Sequence, residues 1–414
     1  MASTFGWIAI DPTQRKQMLE TVELFRDKGT VDDLGIGAIR DAISDTLFPG
    51  TSTLHTRLRY VLFVPWLLEE ASNHDSVKEM SWAFHDLERD FIDVLKAGMG
   101  QTAEGIVGRR AGKSVQRVPS VIYWGMMLTW GIVESGLSTQ DYFRRHALRL
   151  EQLRNAPARE ENEPPLELIP TGIEPNLPPA PSKLLRDATF SLRHEEAAYL
   201  SEQISQTCAG SLLVHLLHHA PDSWKESHSA PEHLWSPEVI ETLTPELQST
   251  VDLAERFSLI IQGANLLYNL LLAEATSSRG QERFHDDRVE YFRNEMTEWA
   301  FQAREMRPLE AAEHTAIGSL MAVRRRTFTK QTQDFLASWF EAALDPLAIA
   351  DSDAARQLVR RRELAVKRQR DRLRPGNWKA LDAWSGASGT SRFEYRWAYA
   401  RRHLQDIFDG LERA

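Results

Sequence analysis

Apolar residues recur at helical spacing along most of this chain. Asp11-Pro12-Thr13-Gln14 reads as a cap, a proline in the first helical turn and a capping-box glutamine. Met18, Val22 and Phe25 carry one apolar face on to about residue 28. A second helix is predicted over 36–48, ended by Pro49-Gly50. A third is predicted from behind Ser52 to about Ala71, kinked at Pro65. Further helices are predicted near 76–97, 119–134, 138–154, 191–207, 244–275, 279–305, 328–344, 353–373 and 393–411. Strand-like alternation is confined to 5–10. The fold class expected is therefore all-α, a multi-helix protein with two packed lobes.

One stretch breaks the helical pattern. Residues 155–181 hold eight of the nineteen prolines, in runs such as Pro164-Pro165 and Pro178-Pro179-Ala180-Pro181. Proline removes backbone donors and turns the preceding residue away from helix, so an extended connector is expected. Leu166, Leu168, Ile169, Ile173 and Leu177 within it favour a strap packed against the surface. The organisation expected is an N-terminal helical domain over 1–154, the connector over 155–185, and a C-terminal helical domain over 186–414 with a basic region at 354–414.

Composition narrows the class. With 42% hydrophobic and 26% charged residues in 414, the chain is of ordinary globular type. No apolar run reaches the roughly 18 uncharged residues of a membrane span; 60–68, taken as the best candidate, is short and flanked by Arg57, Arg59, Glu69 and Glu70. The N-terminal residues lack a signal-peptide pattern, and the single Cys208 leaves neither an internal disulfide nor a cysteine-built zinc site. A cytoplasmic protein without membrane association is the expectation. The net charge of −10 divides unevenly: −6 over 1–100, +4 over 101–154, −16 over 155–353 and +8 over 354–414. A basic tail on an acidic body suits either a nucleic-acid ligand or docking on the chain's own carboxylates.

Several segments form a distinctive ordered set. They are Phe5-Gly6-Trp7-Ile8, Leu34-Gly35-Ile36-Gly37-Ala38-Ile39-Arg40-Asp41, Leu47-Phe48-Pro49-Gly50-Thr51-Ser52-Thr53, Thr56-Arg57-Leu58-Arg59-Tyr60 and Phe63-Val64-Pro65-Trp66. Ser120-Val121-Ile122-Tyr123-Trp124, Trp384-Ser385-Gly386-Ala387-Ser388-Gly389 and Tyr395-Arg396-Trp397 follow. Together they resemble a bacterial family of unknown function, DUF6361, over the whole chain. The resemblance implies an accessory role in anti-phage gene clusters that encode helicase–nuclease proteins. It implies no particular activity.

The nucleic-acid candidates lie mainly in 356–374, where Arg356, Arg360, Arg361, Arg362, Lys367, Arg368, Arg370, Arg372 and Arg374 face only Glu363 and Asp371. At 3.6 residues per turn these charges surround a helix, and their mutual repulsion calls for anions. Phosphates or the acidic middle of this chain are equally suitable, and a merely solvated helix is the lesser alternative. Residues 385–392, with Arg392 and Arg396 beyond, offer a Gly/Ser-rich anion nest or a loop capped by Ser391. Trp378, Trp384, Tyr395, Trp397 and Tyr399 stack on bases if exposed and belong to a core otherwise. The helix–Pro-Gly–helix segment, with Thr51, Ser52 and Thr53 at a helix start and Arg57 and Arg59 beyond, has a helix-turn-helix layout. Its apolar content suits a buried hairpin better.

Other constellations are weaker. Gly108-Arg109-Arg110-Ala111-Gly112-Lys113-Ser114 lacks the spacing of a phosphate loop and reads as a mobile basic loop. His215, His218, His219, His228 and His233 cluster, with His215 and His219 one turn apart, but on a buried-type helix without a zinc-hydrolase glutamate. No catalytic set, metal site or cofactor is expected. The leading expectation is a non-enzymatic component of a defence or DNA-transaction assembly. It would bind DNA or RNA, or a helicase–nuclease partner, through its basic C-terminal region. A pure protein–protein adaptor and an atypical metal-dependent hydrolase or nuclease are the alternatives.

Overall fold

The computed structural model describes residues 32–156, 167–227, 230–279, 284 and 286–413. The 5–10 and 11–28 elements, the Phe5–Ile8 motif, Pro164-Pro165, Leu166 and His228 lie outside them. The fold is all-α. The helices are α1 (Gly37–Leu47), α2 (Tyr60–Ala71), α3 (Val77–Met99), α4 (Pro119–Thr129), α5 (Thr139–Arg154), α6 (His194–Thr207), α7 (Leu212–His219), α8 (Asp222–Ser227) and α9 (Pro237–Ile240). After them come α10 (Pro245–Ser277), α11 (Arg288–Glu305), α12 (Ala311–Val323), α13 (Lys330–Ala342), α14 (Asp353–Lys367), α15 (Trp378–Asp382) and α16 (Trp397–Glu412). Among the described residues the only β pairing is an isolated bridge between Val133 and Ile173.

The chain forms two compact units, each discontinuous in sequence. The described residues within 32–43 and 249–393 make one, and those within 44–248 and 394–413 the other. In the first, α10 is the central element. Its apolar residues point in every direction, the pattern of a helix enclosed on all sides, and Val251 through Thr276 contribute most of the buried positions. Phe257–Ala273 is its uncharged stretch, longer than the 60–68 run picked out from sequence. By length and composition α10 is the one helix among the described residues that is apolar enough to cross a membrane, yet 83% of its most apolar 18 residues are buried in the protein. Trp299 and Trp339 donate their indole N–H groups to the carbonyls of Leu259 (2.7 Å) and Ile260 (2.8 Å) on it. Gly263 is required there, because a Cβ would fall 2.2 Å from the Trp299 ring.

In the second unit α2 is buried at Tyr60 through Leu68 and Ala71, between α3 and α4. It starts at Tyr60, not behind Ser52 as predicted. The preceding backbone donors are taken elsewhere: Thr56 and Arg57 donate to the Tyr123 hydroxyl (2.7 and 3.1 Å), and Leu58 to the Asp406 carboxylate (2.9 Å). No helix therefore begins at Thr51, and its hydroxyl donates to the Phe48 carbonyl. This connection is too long and too well bonded to be the tight turn of a helix-turn-helix. The described part of the proline-rich segment lies in the same unit and is tied along its length. Glu134 and Glu174 donate to the carbonyls of Gly172 and Ile132, Ile169 donates to Gln152, and Trp66 donates to the Pro178 carbonyl.

Local signals account for several boundaries. Ser76, Ser138, Ser352 and Asp287 accept backbone N–H bonds at the starts of α3, α5, α14 and α11. Because Asp287 is the cap, α11 starts at Arg288, nine residues later than its periodicity predicted. Helix α12 was not anticipated.

Candidate nucleic-acid interface

Helix α14 presents its charges to two different environments. On its inner side Glu363 is fully buried and accepts from the Tyr268 hydroxyl (2.6 Å), Lys367 Nζ (3.2 Å) and the backbone N–H groups of Arg372 (2.9 Å) and Leu373 (3.0 Å). Those last two bonds draw the chain off the helical path, so α14 ends at Lys367 rather than near 373. Asp33, also buried, pairs with Lys367 and with Arg372 (3.1 Å), and Ser388 donates to it. Lys367 also donates to the Tyr268 hydroxyl at 2.7 Å. Burial, with the charges of Asp33 and Glu363, holds that phenol protonated far above its ordinary value. The network balances two carboxylates against two cations, which is what burial of charge demands.

Arg362 is 5% exposed and lies on the same unit's N-terminal motif. It donates to the carbonyls of Leu34 (2.7 Å) and Gly35 (3.1 Å) and to Thr332 Oγ1 (3.1 Å), with its guanidinium 5.1 Å from the Phe335 ring centroid. Gly35 has φ +67°, and a Cβ there would sit 2.9 Å from Val366, which accounts for the glycine in Leu34-Gly35. Arg356 pairs with Glu274, and Arg374 with Asp371 (3.1 Å).

Four cations remain. Arg360, Arg361, Arg368 and Arg370 have no carboxylate partner among the described residues; Arg361 only reaches the Gln357 carbonyl of its own helix at 3.3 Å. Arg361, Arg368 and Arg370 are exposed and Arg360 is half-buried. Arg368 stops α14 with φ +56°, and a three-residue 3₁₀ turn through Arg370 follows. Positive φ on a non-glycine residue is strained, and such strain concentrates at functional positions.

The remaining predicted residues are placed elsewhere. Arg392, in the first unit, reaches the Glu255 carbonyl (3.0 Å) and carboxylate (3.7 Å). Arg57, Arg59 and Arg396 are in the second unit. Arg57 grips the buried Asp406, its Nη2 at 2.5 Å; Arg59 pairs with the buried Glu196 at 2.7 Å; Arg396 pairs with Asp45 at 2.7 Å and the Thr51 carbonyl at 2.8 Å. Of the residues proposed from sequence, then, only Arg360, Arg361, Arg368 and Arg370 are left without a carboxylate among the described residues.

The profile of a family of unknown function, DUF6361, matches residues 2–410. The chain belongs to the DUF6361 family. No curated protein and no solved structure matches it.

The 32–40 and 388–393 segments meet in the first unit. Asp32 and Arg40 line an open pocket of about 210 Å³ with Asn265 and the Ser388–Ser391 loop. The loop is pinned to a polar row on α10: Asn269 donates to the Ser388 carbonyl, Gln262 to the Thr390 carbonyl, and Phe393 N–H to Ser258. Ser391 caps no helix, since α16 starts behind Arg396, which has φ +67°. Asp32 already accepts the N–H groups of Ile36 and Gly37. That carboxylate makes the pocket poor for an anion.

The described histidines of the group in this DUF6361 protein are taken up in hydrogen bonds and ring contacts, His215 and His219 lying 4.8 Å apart between centroids. His215 bonds the Thr242 carbonyl, His218 bonds Ser205, and His233 stacks on Trp235. Among the described residues no three His, Cys, Asp or Glu side chains are grouped for a metal. In the 108–114 loop, Lys113 pairs with Asp90 and Ser114 bonds the Ala111 carbonyl. Sequence reasoning missed Tyr268 and Asp33 as the partners of the basic segment, because Tyr268 reads as one more apolar position of α10. It also passed over Lys379, which is exposed and has no partner among the described residues.

Proposed function

We propose that this DUF6361 protein is a non-enzymatic component that binds nucleic acid through Arg360, Arg361, Arg368 and Arg370. The observation that carries this reading is the division of charge on and just beyond α14. Arg356, Arg362, Lys367, Arg372 and Arg374 are satisfied internally, while these four remain without anions among the described residues. Clustered guanidiniums repel one another, and phosphates relieve that repulsion while releasing counterions. The setting we attach to it, a bacterial anti-phage or DNA-transaction assembly with a helicase–nuclease partner, rests on the resemblance drawn from the sequence motifs.

The test is salt-dependent binding. With four phosphates neutralised, affinity should fall on the order of 10²-fold between about 50 and 200 mM salt. Changing Arg360, Arg361, Arg368 and Arg370 together to alanine should flatten that dependence. Absence of binding to any DNA or RNA at about 50 mM salt removes the proposal. A second reading, a protein adaptor, is favoured by the exposed apolar side chains Phe301, Val323, Leu344 and Leu347 in the first unit. It predicts partner binding that the four-arginine change leaves intact.

A further inference from the structure

The C-terminal aromatics are sorted sharply by burial. Trp384, Tyr395 and Trp397 are 2% exposed or less, as core residues should be, and Tyr399 is half-buried. Trp378 is 48% exposed. It opens α15, directly after the segment that follows the arginine turn.

The fold holds the start of α15 against the arginine turn at 368–370. Asn377, its neighbour in the chain, donates through Nδ2 to the carbonyls of Gln369 (3.1 Å) and Asp371 (2.7 Å), the residues that flank Arg370. Arg374 closes the same turn by donating to the Arg368 carbonyl at 3.0 Å. The ring itself is restrained. The Arg279 guanidinium stacks at 4.9 Å from its centroid and is anchored by Asp382, four residues along α15, at 2.6 Å. Lys379, the residue after Trp378, is exposed and has no partner among the described residues. A large aromatic surface left in water has lost the free energy of burial, and one fixed in orientation needs little ordering when a ligand stacks on it.

From this juxtaposition we infer that the protein prefers single-stranded nucleic acid, with Trp378 as a base-stacking platform and the four arginines holding the adjacent phosphates. The inference rests on the nucleic-acid reading above and names its ligand class. A duplex offers the arginines its phosphates but keeps its base faces stacked inside, so Trp378 has nothing to contact there. A single strand offers both, and stacking of this kind tolerates any base.

The experiment compares fluorescence anisotropy of labelled oligo-dT, oligo-U and a duplex of matched length. The full chain is used as wild type, Trp378→Ala, Trp378→Phe and the four-arginine variant, with thermal melting as a check on folding. The expected result is single-strand binding about tenfold tighter than duplex binding. Trp378→Ala should lower single-strand affinity about tenfold with the salt slope unchanged, leave duplex binding as it was, and be largely restored by Trp378→Phe. Tighter binding of either oligo-dT or oligo-U names the strand, and both results support the inference. Unchanged single-strand affinity in Trp378→Ala, while the arginine variant still flattens the salt slope, overturns the stacking platform and leaves the binding proposal standing. An equal loss on single strand and duplex also overturns it. No binding by the wild type to any of the three overturns both.

Discussion

Replacing His403 by leucine should make the protein more stable, and more so in acid than at neutral pH. His403 lies on α16, 1% exposed, and neither ring nitrogen has a partner among the described residues. Around it in the second unit are His55, 5.8 Å away between ring centroids, the cations Arg57 and Arg402, and Asp406, whose carboxylate Arg57 holds. His55 is itself stacked on Tyr123 and bonded to the Ile122 carbonyl. Two unsatisfied imidazole nitrogens carry a desolvation cost of about 1–3 kcal/mol each, so a leucine of similar size should add at least about 1–3 kcal/mol at about pH 7.5.

The pH dependence follows from which state takes up protons. Burial, reinforced by the charges of His55, Arg402 and Arg57, pushes His403 well below its ordinary value, and burial pushes His55 down to about 3. The unfolded chain therefore binds these protons first. Stability is complete above about pH 6.5 and is lost as the pH falls, by about 1.4 kcal/mol per unit for each ring. Glu88 works the other way. Burial raises it to about 7, although Ser120 donates to it twice, so the folded state takes up its proton first. Acidification from about pH 7.5 to 5.5 thus regains about 2 kcal/mol through Glu88 and loses nearly 3 kcal/mol through the two histidines. Burial also lowers His146, His215 and His314, so the wild-type profile sums several groups, and the difference between proteins is what reports on His403. Urea denaturation at both pH values should show the advantage of His403→Leu growing by about 1.4 kcal/mol on acidification. An advantage equal at both pH values, or a leucine variant less stable than wild type at neutral pH, refutes the argument.

Arg368→Gly should relieve the positive φ and stabilise the protein by about 1 kcal/mol, read as a higher Tm, while weakening oligonucleotide binding in anisotropy. Glu363→Ala, by contrast, leaves Lys367 and the Tyr268 hydroxyl without their shared acceptor. It should cost about 3–5 kcal/mol in chemical denaturation.

Much of the architecture was legible in the chain. Helical periodicity, proline and glycine stops and serine or aspartate caps are local physics, and they placed most of the helices and the all-α class. What they could not place were boundaries set by distant partners. The start of α2 depends on Tyr123 and Asp406, and the end of α14 on bonds that Glu363 makes to the backbone of Arg372 and Leu373. Helix α12 escaped because its short Ala-rich stretch carries too weak an apolar stripe to stand out from its surroundings.

The concentration of positive charge at 356–374 was a property of the sequence alone, and so was the need for anions to balance it. Which anions was a tertiary decision. A guanidinium's partner is whichever carboxylate or carbonyl the fold brings within hydrogen-bond reach, and Asp33 and Leu34 are more than three hundred residues away from Arg372 and Arg362. The same holds for the aromatics, where equal residue types became core at Trp384 and Trp397 and surface at Trp378. Burial depends on the packing of whole helices, and no local window of sequence records it.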